Sequence, residues 1–178
     1  MTALACHIRP AEPEDLERLR TIYNDAVLHT TASYDYEPRP AEAQVTWFAT
    51  KQAAGYPVLV ADDGAGAAIG FASYGPFRAW AGYRFTVEHS VYVHEAFRRR
   101  GIASALVTHL LHDAAGQGLH LMVGAIDAAN TGSIELHRRL GFESAGVLKE
   151  AGYKFDRWLD LAFMTRRLDR PVSPPAPG

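Results

Sequence analysis

The sequence has little of three things: cysteine, long hydrophobic stretches and net charge. Cys6 is its single cysteine, so no disulfide can form within the chain, which is typical of proteins in a reducing compartment. No apolar run approaches the roughly 18 residues that a membrane-spanning helix needs, and no basic-then-apolar segment marks a secretion signal. These absences predict a cytoplasmic protein with no membrane partner.

The net charge is only −2 over 178 residues. A dedicated nucleic-acid-binding protein carries a strong positive field, so we expect no nucleic-acid partner. Metal ligands are also poorly grouped. His109 and His112 lie at i and i+3 on a predicted helix, but they belong to no recognised zinc-site pattern. We therefore predict no metal site.

The strand and helix patterns that are present alternate in the manner of one α/β domain. We predict that residues 1–168 form this domain and that the proline-rich residues 169–178 form a disordered tail. A first short strand is predicted to end near Ile8. Further strands are predicted over 58–61, 67–74, 84–93, 119–126, 143–148 and 158–165, and helices over 16–26, 41–54, 102–117 and 131–140.

The stretch "VYVHEAFRRRGIASALVTHLL", Val91 to Leu111, begins as a strand and becomes a helix after three arginines and a glycine. The first N–H groups of a helix have no partner within it and attract anions. Gly101 and the small Ala103 let a ligand approach the backbone closely, and the arginines supply charge-assisted donors around it. The pattern favours a pyrophosphate-binding turn; an exposed basic loop, a nucleic-acid patch and an ordinary glycine turn are the alternatives.

A family resemblance rests on the spacing R-x-x-G-x-A of Arg98, Gly101 and Ala103, on the later stretch "NTGSIELHRRLGF", and on the order of the elements. Together they resemble the GNAT superfamily of acetyl-CoA-dependent N-acetyltransferases, over roughly Ile8 to Leu168. The resemblance implies an α/β fold with a mixed, mostly antiparallel twisted sheet flanked by helices. Two central parallel strands of that sheet splay apart to admit acetyl-CoA. The resemblance also implies a homodimer.

The same resemblance implies which residues bind acetyl-CoA. The arginine-glycine turn and the start of its helix hold the pyrophosphate, while the end of the preceding strand pairs with the pantetheine arm. A later helix that starts at an asparagine lies near that arm. The residues so implied are Val91, Tyr92, Val93, Arg98, Arg99, Arg100, Gly101, Ile102, Ala103, Ser104, Asn130 and Ser133.

A closer similarity is carried by "RFTVEHSVYVHEAFRRRGIASAL", "LHRRLGF" and "GYKFDRWLDLAFM", which are similar to the phosphinothricin and methionine sulfoximine N-acetyltransferases. It implies that Glu88 sits beside the acceptor amine. The residues agree, because a protonated amine must lose a proton before it attacks a thioester and Glu88 lies on the polar face of a predicted strand. The alternative is that Glu88 only forms a salt bridge with Arg84.

His137 occupies a position where the superfamily often has a tyrosine that acts as general acid to the departing thiolate. The phosphinothricin-type enzymes have histidine there. An imidazole also has an N–H to donate and an unperturbed pKa of about 6.5, so His137 is a second candidate catalytic residue. The alternative is a packed histidine on a capped helix.

The loop "YGPFRAWAGYRF" contains the candidate substrate-binding residues Arg78, Tyr83 and Arg84. An arginine fork can bind the carboxylate that an amino acid presents beside its amine. The alternative is an exposed loop whose arginines only cover apolar surface. Tyr34 and Tyr36, in an earlier aromatic loop, either line the same pocket or serve as ordinary packing.

The sequence thus predicts an enzyme that moves an acetyl group from acetyl-CoA to the α-amino group of a small amino acid or analogue, such as phosphinothricin or methionine sulfoximine. Two alternatives are a GNAT enzyme that acetylates another small amine or a protein N-terminus, and a non-catalytic CoA-binding domain.

Overall fold

A computed structural model describes residues 6–168 of the chain. Its strands are β1 (His7–Pro10), β2 (Val58–Asp62), β3 (Ala68–Pro76), β4 (Thr86–Val93), β5 (Leu121–Asp127), β6 (Glu143–Lys154) and β7 (Arg157–Arg167). Its helices are α1 (Leu16–His29), α2 (Ala41–Ala53), α3 (Ile102–Gly116) and α4 (Thr131–Arg139). The predicted tail, residues 169–178, lies outside the described residues.

All seven strands form one sheet in the order β1-β2-β3-β4-β5-β7-β6. Neighbouring strands are antiparallel except β4 and β5, which are parallel. The predicted mixed, mostly antiparallel α/β fold is therefore confirmed. Within residues 6–168, no helix is both long enough and apolar enough to cross a membrane.

The last two strands are longer than the sequence pattern predicts. Predicted over 143–148 and 158–165, they extend to meet at a tight turn in which Phe155 and Asp156 have φ of 52° and 56°. The extension includes a bulge between Leu148 and Gly152, and the outward-facing β6 is exposed over most of its length. A bulged, solvent-exposed edge strand lacks the regular apolar alternation by which strands are predicted.

The helices cover both faces of the sheet with two hydrophobic clusters. On one face, Leu106 and Leu110 of α3 pack against Val87 of β4 and Met122 of β5. On the other face, α1 and α2 pack against β2 and β3, with Leu19, Tyr23, Phe48 and Phe71 at the centre. The central strands are thus fixed from both sides, because the buried apolar side chains of each face have a helix to pack against.

The central parallel pair separates along its length. β4 and β5 are paired only where Thr86–His89 face Leu121–Gly124. Beyond that point residues 90–93 pair with β3 on their far side, and residues 125–127 pair with β7 on theirs. In the described part of the chain, the edges that these two segments turn toward each other have no strand partner. The predicted splay is present, and it opens a gap in the middle of the sheet.

Candidate active site

A cavity of about 340 Å³ lies where β4 and β5 separate. Its walls come from four places: the loop after α1, the diverging halves of β4 and β5, the start of α4, and β7. The lining residues are Thr31, Ala32, Ser33, Tyr34, Glu88, His89, Ser90, Val91, Tyr92, Gly124, Ala125, Ile126, Asp127, Asn130, Ser133, His137 and Leu161. The cavity therefore occupies the gap between the two strands.

Glu88 is a half-buried carboxylate in this cavity. Burial raises its pKa above the ordinary value for glutamate, and the positive charge of Arg78 opposes that rise. Arg84 lies elsewhere, with its guanidinium 4.8 Å from the centre of the Phe85 ring. Among residues 6–168 no ion pair joins Glu88 to Arg84. A carboxylate with a raised pKa is suited to accept a proton from an amine near neutral pH.

His89 and His137 form a buried, stacked pair at the back of the cavity. Their ring centroids are 5.0 Å apart, and the two Nε2 atoms are 3.0 Å apart. His137 Nδ1 lies 2.7 Å from the carbonyl oxygen of Ser133, so Nδ1 carries a proton and donates it. Burial lowers the pKa of both imidazoles, which favours their neutral forms. In a neutral pair, His137 Nε2 accepts a hydrogen bond from His89 Nε2–H.

Gly124 has no side chain, and the histidine pair occupies the space that a side chain there would need. A Cβ atom at Gly124 would lie 3.1 Å from His89 Nε2 and 3.3 Å from His137 Cδ2. These separations are tighter than ordinary van der Waals contacts. A glycine in a strand often marks a close approach of another group, and here that group is the histidine pair.

The loop after α1 forms the opposite wall and is held by side chains from distant strands. Thr31 Oγ1 donates to Asp127 Oδ2 at the end of β5. Lys154 Nζ, at the end of β6, donates to the carbonyl oxygens of Thr30 at 3.0 Å and Ser33 at 2.6 Å. Lys154 is only 4% exposed. Its ammonium therefore holds the loop through one buried hydrogen bond, to Ser33, and one partly buried hydrogen bond, to Thr30.

The turn before α3 begins with Gly101 at φ 83°, a left-handed conformation that favours glycine. The first helical hydrogen bond is donated by Ala105 N to Gly101 O, so the N–H groups of residues 102–104 precede it. A Cβ at Gly101 would have no heavy atom within 4 Å. The backbone at this helix start is therefore open to a ligand.

Comparison with known proteins assigns this architecture to a family. The profile of the Acetyltransferase (GNAT) family matches residues 16–142. The chain belongs to the GNAT acetyltransferase family. The GNAT superfamily predicted from the sequence is confirmed, and with it an acetyl-CoA-dependent acetyltransferase.

Individual relatives of this GNAT enzyme match almost its whole length. An L-methionine sulfoximine/L-methionine sulfone acetyltransferase from Pseudomonas aeruginosa is 48% identical over 97% of this chain and 100% of its own. A phosphinothricin N-acetyltransferase from Streptomyces viridochromogenes is 36% identical over 94% of this chain and 90% of its own. An acetyltransferase from Salmonella typhimurium, solved with its cofactor acetyl-CoA, is 41% identical, with TM-score 0.92, over 97% of this chain and 99% of its own. The predicted subfamily resemblance is confirmed.

The GNAT enzyme uses acetyl-CoA as its acetyl donor, and its own residues fit that group. The unpaired edge of β4 at residues 90–93 can accept an extended amide-bearing arm, and the open turn at Gly101 can accept phosphates. Arg98 is engaged within the protein: its Nε donates to Val93 O at 3.2 Å and its Nη2 lies 3.4 Å from Asp25 Oδ2. Arg99 and Arg100 are exposed at the turn, with the Arg100 guanidinium over the Phe97 ring.

The other residues predicted for cofactor binding divide between the cavity and the α3 start. Asn130 caps α4 by accepting a hydrogen bond from Ser133 N at 3.0 Å, and both residues line the cavity. Val91 and Tyr92 also line it, whereas Val93 lies at the end of β4. Ile102 is buried under the turn, and Ala103 and Ser104 are partly exposed there.

The residues predicted for substrate binding lie outside the cavity lining. Arg78 is exposed and its guanidinium lies over the Phe77 ring, although its charge still acts on Glu88. Tyr83 is 42% exposed and packs edge-on against Phe77. Their loop leaves all three predicted residues, Arg84 included, accessible at the surface. Tyr34 does line the cavity, but Tyr36 is exposed.

Several residues of this site carry no motif that predicts a role for them: His89, Gly124, Asp127 and Lys154. Asp127 could have been found, because it is an acidic residue at the end of the buried strand "LMVGAID". No nearby sequence pattern indicates a role for Lys154, whose hydrogen-bond partners are more than 100 positions away. Within residues 6–168 no group of three or more His, Cys, Asp or Glu side chains is arranged to hold a metal.

Proposed function

We propose that this GNAT enzyme transfers the acetyl group of acetyl-CoA to the α-amino group of a small amino acid or analogue, such as methionine sulfoximine, methionine sulfone or phosphinothricin. The observation that carries the proposal is the half-buried carboxylate of Glu88 in a cavity of about 340 Å³, beside the gap that admits the acetyl donor. A cavity of this size suits a small ligand. The named relatives act on amino-acid analogues, which supports the same class here.

The proposed chemistry uses Glu88 as the general base. The acceptor arrives as an ammonium ion and gives one proton to the Glu88 carboxylate, directly or through a water molecule. Acetyl-CoA supplies the acetyl carbonyl: a nitrogen–carbon bond forms and the carbon–sulfur bond breaks. The nitrogen then loses its second proton to become the amide, and the departing thiolate gains one proton. The raised pKa of Glu88 makes it a stronger base than an ordinary glutamate, and a stronger base accepts a proton from an ammonium ion more readily.

His137 is the proposed acid that returns a proton to the departing thiolate. In the resting neutral pair its one proton is on Nδ1 and is donated to the carbonyl oxygen of Ser133, while Nε2 accepts from His89. A neutral imidazole does not give its only proton to a thiolate, because the anion left behind is the stronger base. We propose that His137 first takes up the second proton of the attacking nitrogen, and that the resulting imidazolium, whose pKa is lowered by burial, passes a proton to the sulfur.

For acetyl-CoA we propose the residues given by the family resemblance. The backbone of residues 91–93 pairs with the pantetheine arm, and Asn130 and Ser133 lie beside it. The turn of residues 98–104 receives the pyrophosphate through its N–H groups and arginine side chains.

For the acceptor carboxylate we propose Arg78, Tyr83 and Arg84. Arg78 has the strongest support, because its charge lowers the pKa of the neighbouring Glu88. A cation in that position attracts a carboxylate and holds the adjacent amine near the base.

The proposal is tested by measuring thiol release from acetyl-CoA with a panel of acceptors. Methionine sulfone and phosphinothricin should react, and their amides should lose on the order of 10- to 100-fold in kcat/KM, because a bidentate charge-assisted contact is lost. Arg78→Ala should remove this preference, with Arg78→Lys as a partial rescue. Equal rates with amines that lack a carboxylate would leave a general small-amine acetyltransferase. Preference for a peptide N-terminus would favour a protein acetyltransferase, and no thiol release with any acceptor would favour a non-catalytic CoA-binding domain.

We also propose that two copies form a homodimer through the β6–β7 hairpin. Large apolar side chains are exposed there, which is typical of an interaction surface; they are Val147, Leu148, Tyr153, Phe155 and Trp158. Sedimentation should give a dimer for the parent chain and a monomer for Trp158→Arg. We further propose a cytoplasmic location, and one domain at residues 1–168 followed by a tail.

A further inference from the structure

We infer that the hydroxyl group of Tyr34 binds the acceptor, by donating a hydrogen bond to an oxygen on its side chain, with a preference for an uncharged one. The inference rests on the proposed function and extends it to the part of the acceptor farthest from the reacting amine. It adds a specificity-determining residue to a site whose other proposed contacts are with the amine and the carboxylate.

The first support is an unpaired polar atom. The Tyr34 hydroxyl oxygen is buried and has no hydrogen-bond partner among the described residues. Tyr34 lines the cavity. A buried hydroxyl without a partner costs free energy, so native proteins rarely keep one unless a water or ligand completes it. In a cavity that faces the reacting groups, the missing partner is a ligand atom.

The second support is the charge around this hydroxyl. Burial raises the pKa of Tyr34, and the carboxylates of Asp127 and Asp160 raise it further. The group therefore stays protonated and is available as a donor. The same carboxylates disfavour an anion, so an uncharged sulfone oxygen should bind at Tyr34 more readily than the anionic phosphinate of phosphinothricin. The carboxylate of the acceptor belongs at the other end of the site, where Arg78 acts on Glu88.

The third support is that Tyr34 is held in place before any acceptor binds. Its ring packs so closely on Gly152 that a Cβ there would clash with Tyr34 Cε2. The residue before it, Ser33, has its carbonyl oxygen fixed by Lys154, and Thr31 is bonded to Asp127. A donor fixed in advance loses little side-chain entropy when the ligand arrives.

The oxygen of a sulfone fits this requirement. It is uncharged, it accepts hydrogen bonds, and it lies several bonds from the α-carbon. A straight aliphatic side chain of similar length, as in norleucine, has no such acceptor. These two amino acids differ at the atom that Tyr34 is inferred to contact.

The experiment compares Tyr34→Phe with the matched control Tyr36→Phe. Tyr36 belongs to the same loop, but its hydroxyl is at the surface and already donates to Tyr153 O. Steady-state kcat/KM is measured with methionine sulfone and with norleucine for the parent and both variants. Tyr34→Phe should lower kcat/KM for methionine sulfone by about 3- to 30-fold, the range of one lost hydrogen bond, and leave norleucine within about 2-fold. Tyr36→Phe should change neither, and the KM for acetyl-CoA should stay constant.

Thermal unfolding provides the second readout. Removing an unpaired buried hydroxyl relieves a desolvation cost, so Tyr34→Phe should melt at the same temperature as the parent or higher. Equal losses with both acceptors, no loss with methionine sulfone, or a lowered melting temperature would each overturn the inference. If the parent acetylates neither amino acid, the proposed function itself fails, and the inference falls with it.

Discussion

His137 Nε2 and His89 Nε2 face each other at 3.0 Å, and the proton between them belongs to His89. The position of this proton follows from the other nitrogen of His137. Nδ1 must donate to the carbonyl oxygen of Ser133, so in a neutral ring Nε2 has no proton of its own. A predicted catalytic histidine is therefore oriented by a second, buried histidine that the sequence pattern did not single out. In the resting neutral pair the only proton on His137 is the one on Nδ1, so His137 acts as an acid only after it has taken up a second proton.

His137→Phe tests this arrangement with roughly conserved volume. If His137 returns the proton to the thiolate, kcat should fall by on the order of 10²-fold, while the Kd for acetyl-CoA stays close to that of the parent. The variant also leaves His89 Nε2–H buried without a partner, so it should lose about 1–3 kcal/mol of stability. Unchanged acidic and basic limbs in the pH–rate profile would instead give His137 a packing role.

Glu88→Gln should separate catalysis from stability. Loss of the base should lower kcat by on the order of 10²-fold or more with little effect on acetyl-CoA binding. The pKa of Glu88 is raised above the ordinary value for glutamate, so the folded chain holds this proton more tightly than the unfolded chain does. Ionisation therefore costs stability, and the cost grows as pH rises from the unfolded pKa through the folded one.

Because glutamine never ionises, Glu88→Gln should be at least as stable as the parent near neutral pH, and the two should converge in acid. As the pH is lowered, kcat/KM of the parent should fall with a midpoint that lies above the ordinary glutamate pKa. Thermal melts at several pH values check the first point and a pH–rate profile the second. Turnover near that of the parent in Glu88→Gln would assign deprotonation of the amine to solvent.

Gly101→Val should weaken acetyl-CoA binding far more than acceptor binding, because a side chain at the open turn blocks approach to the first N–H groups of α3. Gly118→Val is the matched control. Gly118 follows the other end of α3 with φ 78° and, like Gly101, has open space around it, so the backbone strain is comparable. Isothermal titration with CoA measures the difference; equal affinity in the two variants would contradict a phosphate-binding turn.

Lys154→Met should loosen the loop of residues 30–34, because the carbonyl oxygens of Thr30 and Ser33 lose their donor while the apolar stem remains. We expect the acceptor KM to rise about 5- to 10-fold, with the KM for acetyl-CoA unchanged. Lys149→Met is the control on the same hairpin. Its ammonium pairs with Asp160 at the surface, and exposed pairs contribute little. Equal effects of both variants would mean that Lys154 supports only the hairpin.

The features of the site that could be predicted are those determined by residues that are close together in the sequence. The turn at Gly101 and the cap at Asn130 each combine a helix start with a characteristic residue, and both are present in the structure. Strand alternation places Glu88 on the polar face of β4, and the family resemblance implies its role beside the amine. In each case a few neighbouring residues determine the geometry.

The remaining wall of the cavity depends on contacts between distant positions. Thr31 meets Asp127 across 96 positions, and Lys154 meets Ser33 across 121. No spacing rule connects such residues, because their distance is set by the way the sheet folds back on itself. The pairing of β6 with β7 likewise extends past the apolar pattern, since backbone hydrogen bonds continue where side-chain alternation stops.

The separation of β4 from β5 divides the sheet into two parts that share only a short parallel pairing. The first part is β1–β4 and carries Glu88. The second part is β5–β7 and carries Asp127, with α4 and its His137 beside it. Only four residue pairs of β4 and β5 connect the two parts within the sheet, so few backbone contacts fix the distance between the proposed base and the proposed acid. Lys154 and Asp127, both from the second part, hydrogen-bond to the loop that follows α1 and so tie the two parts together on the cavity side.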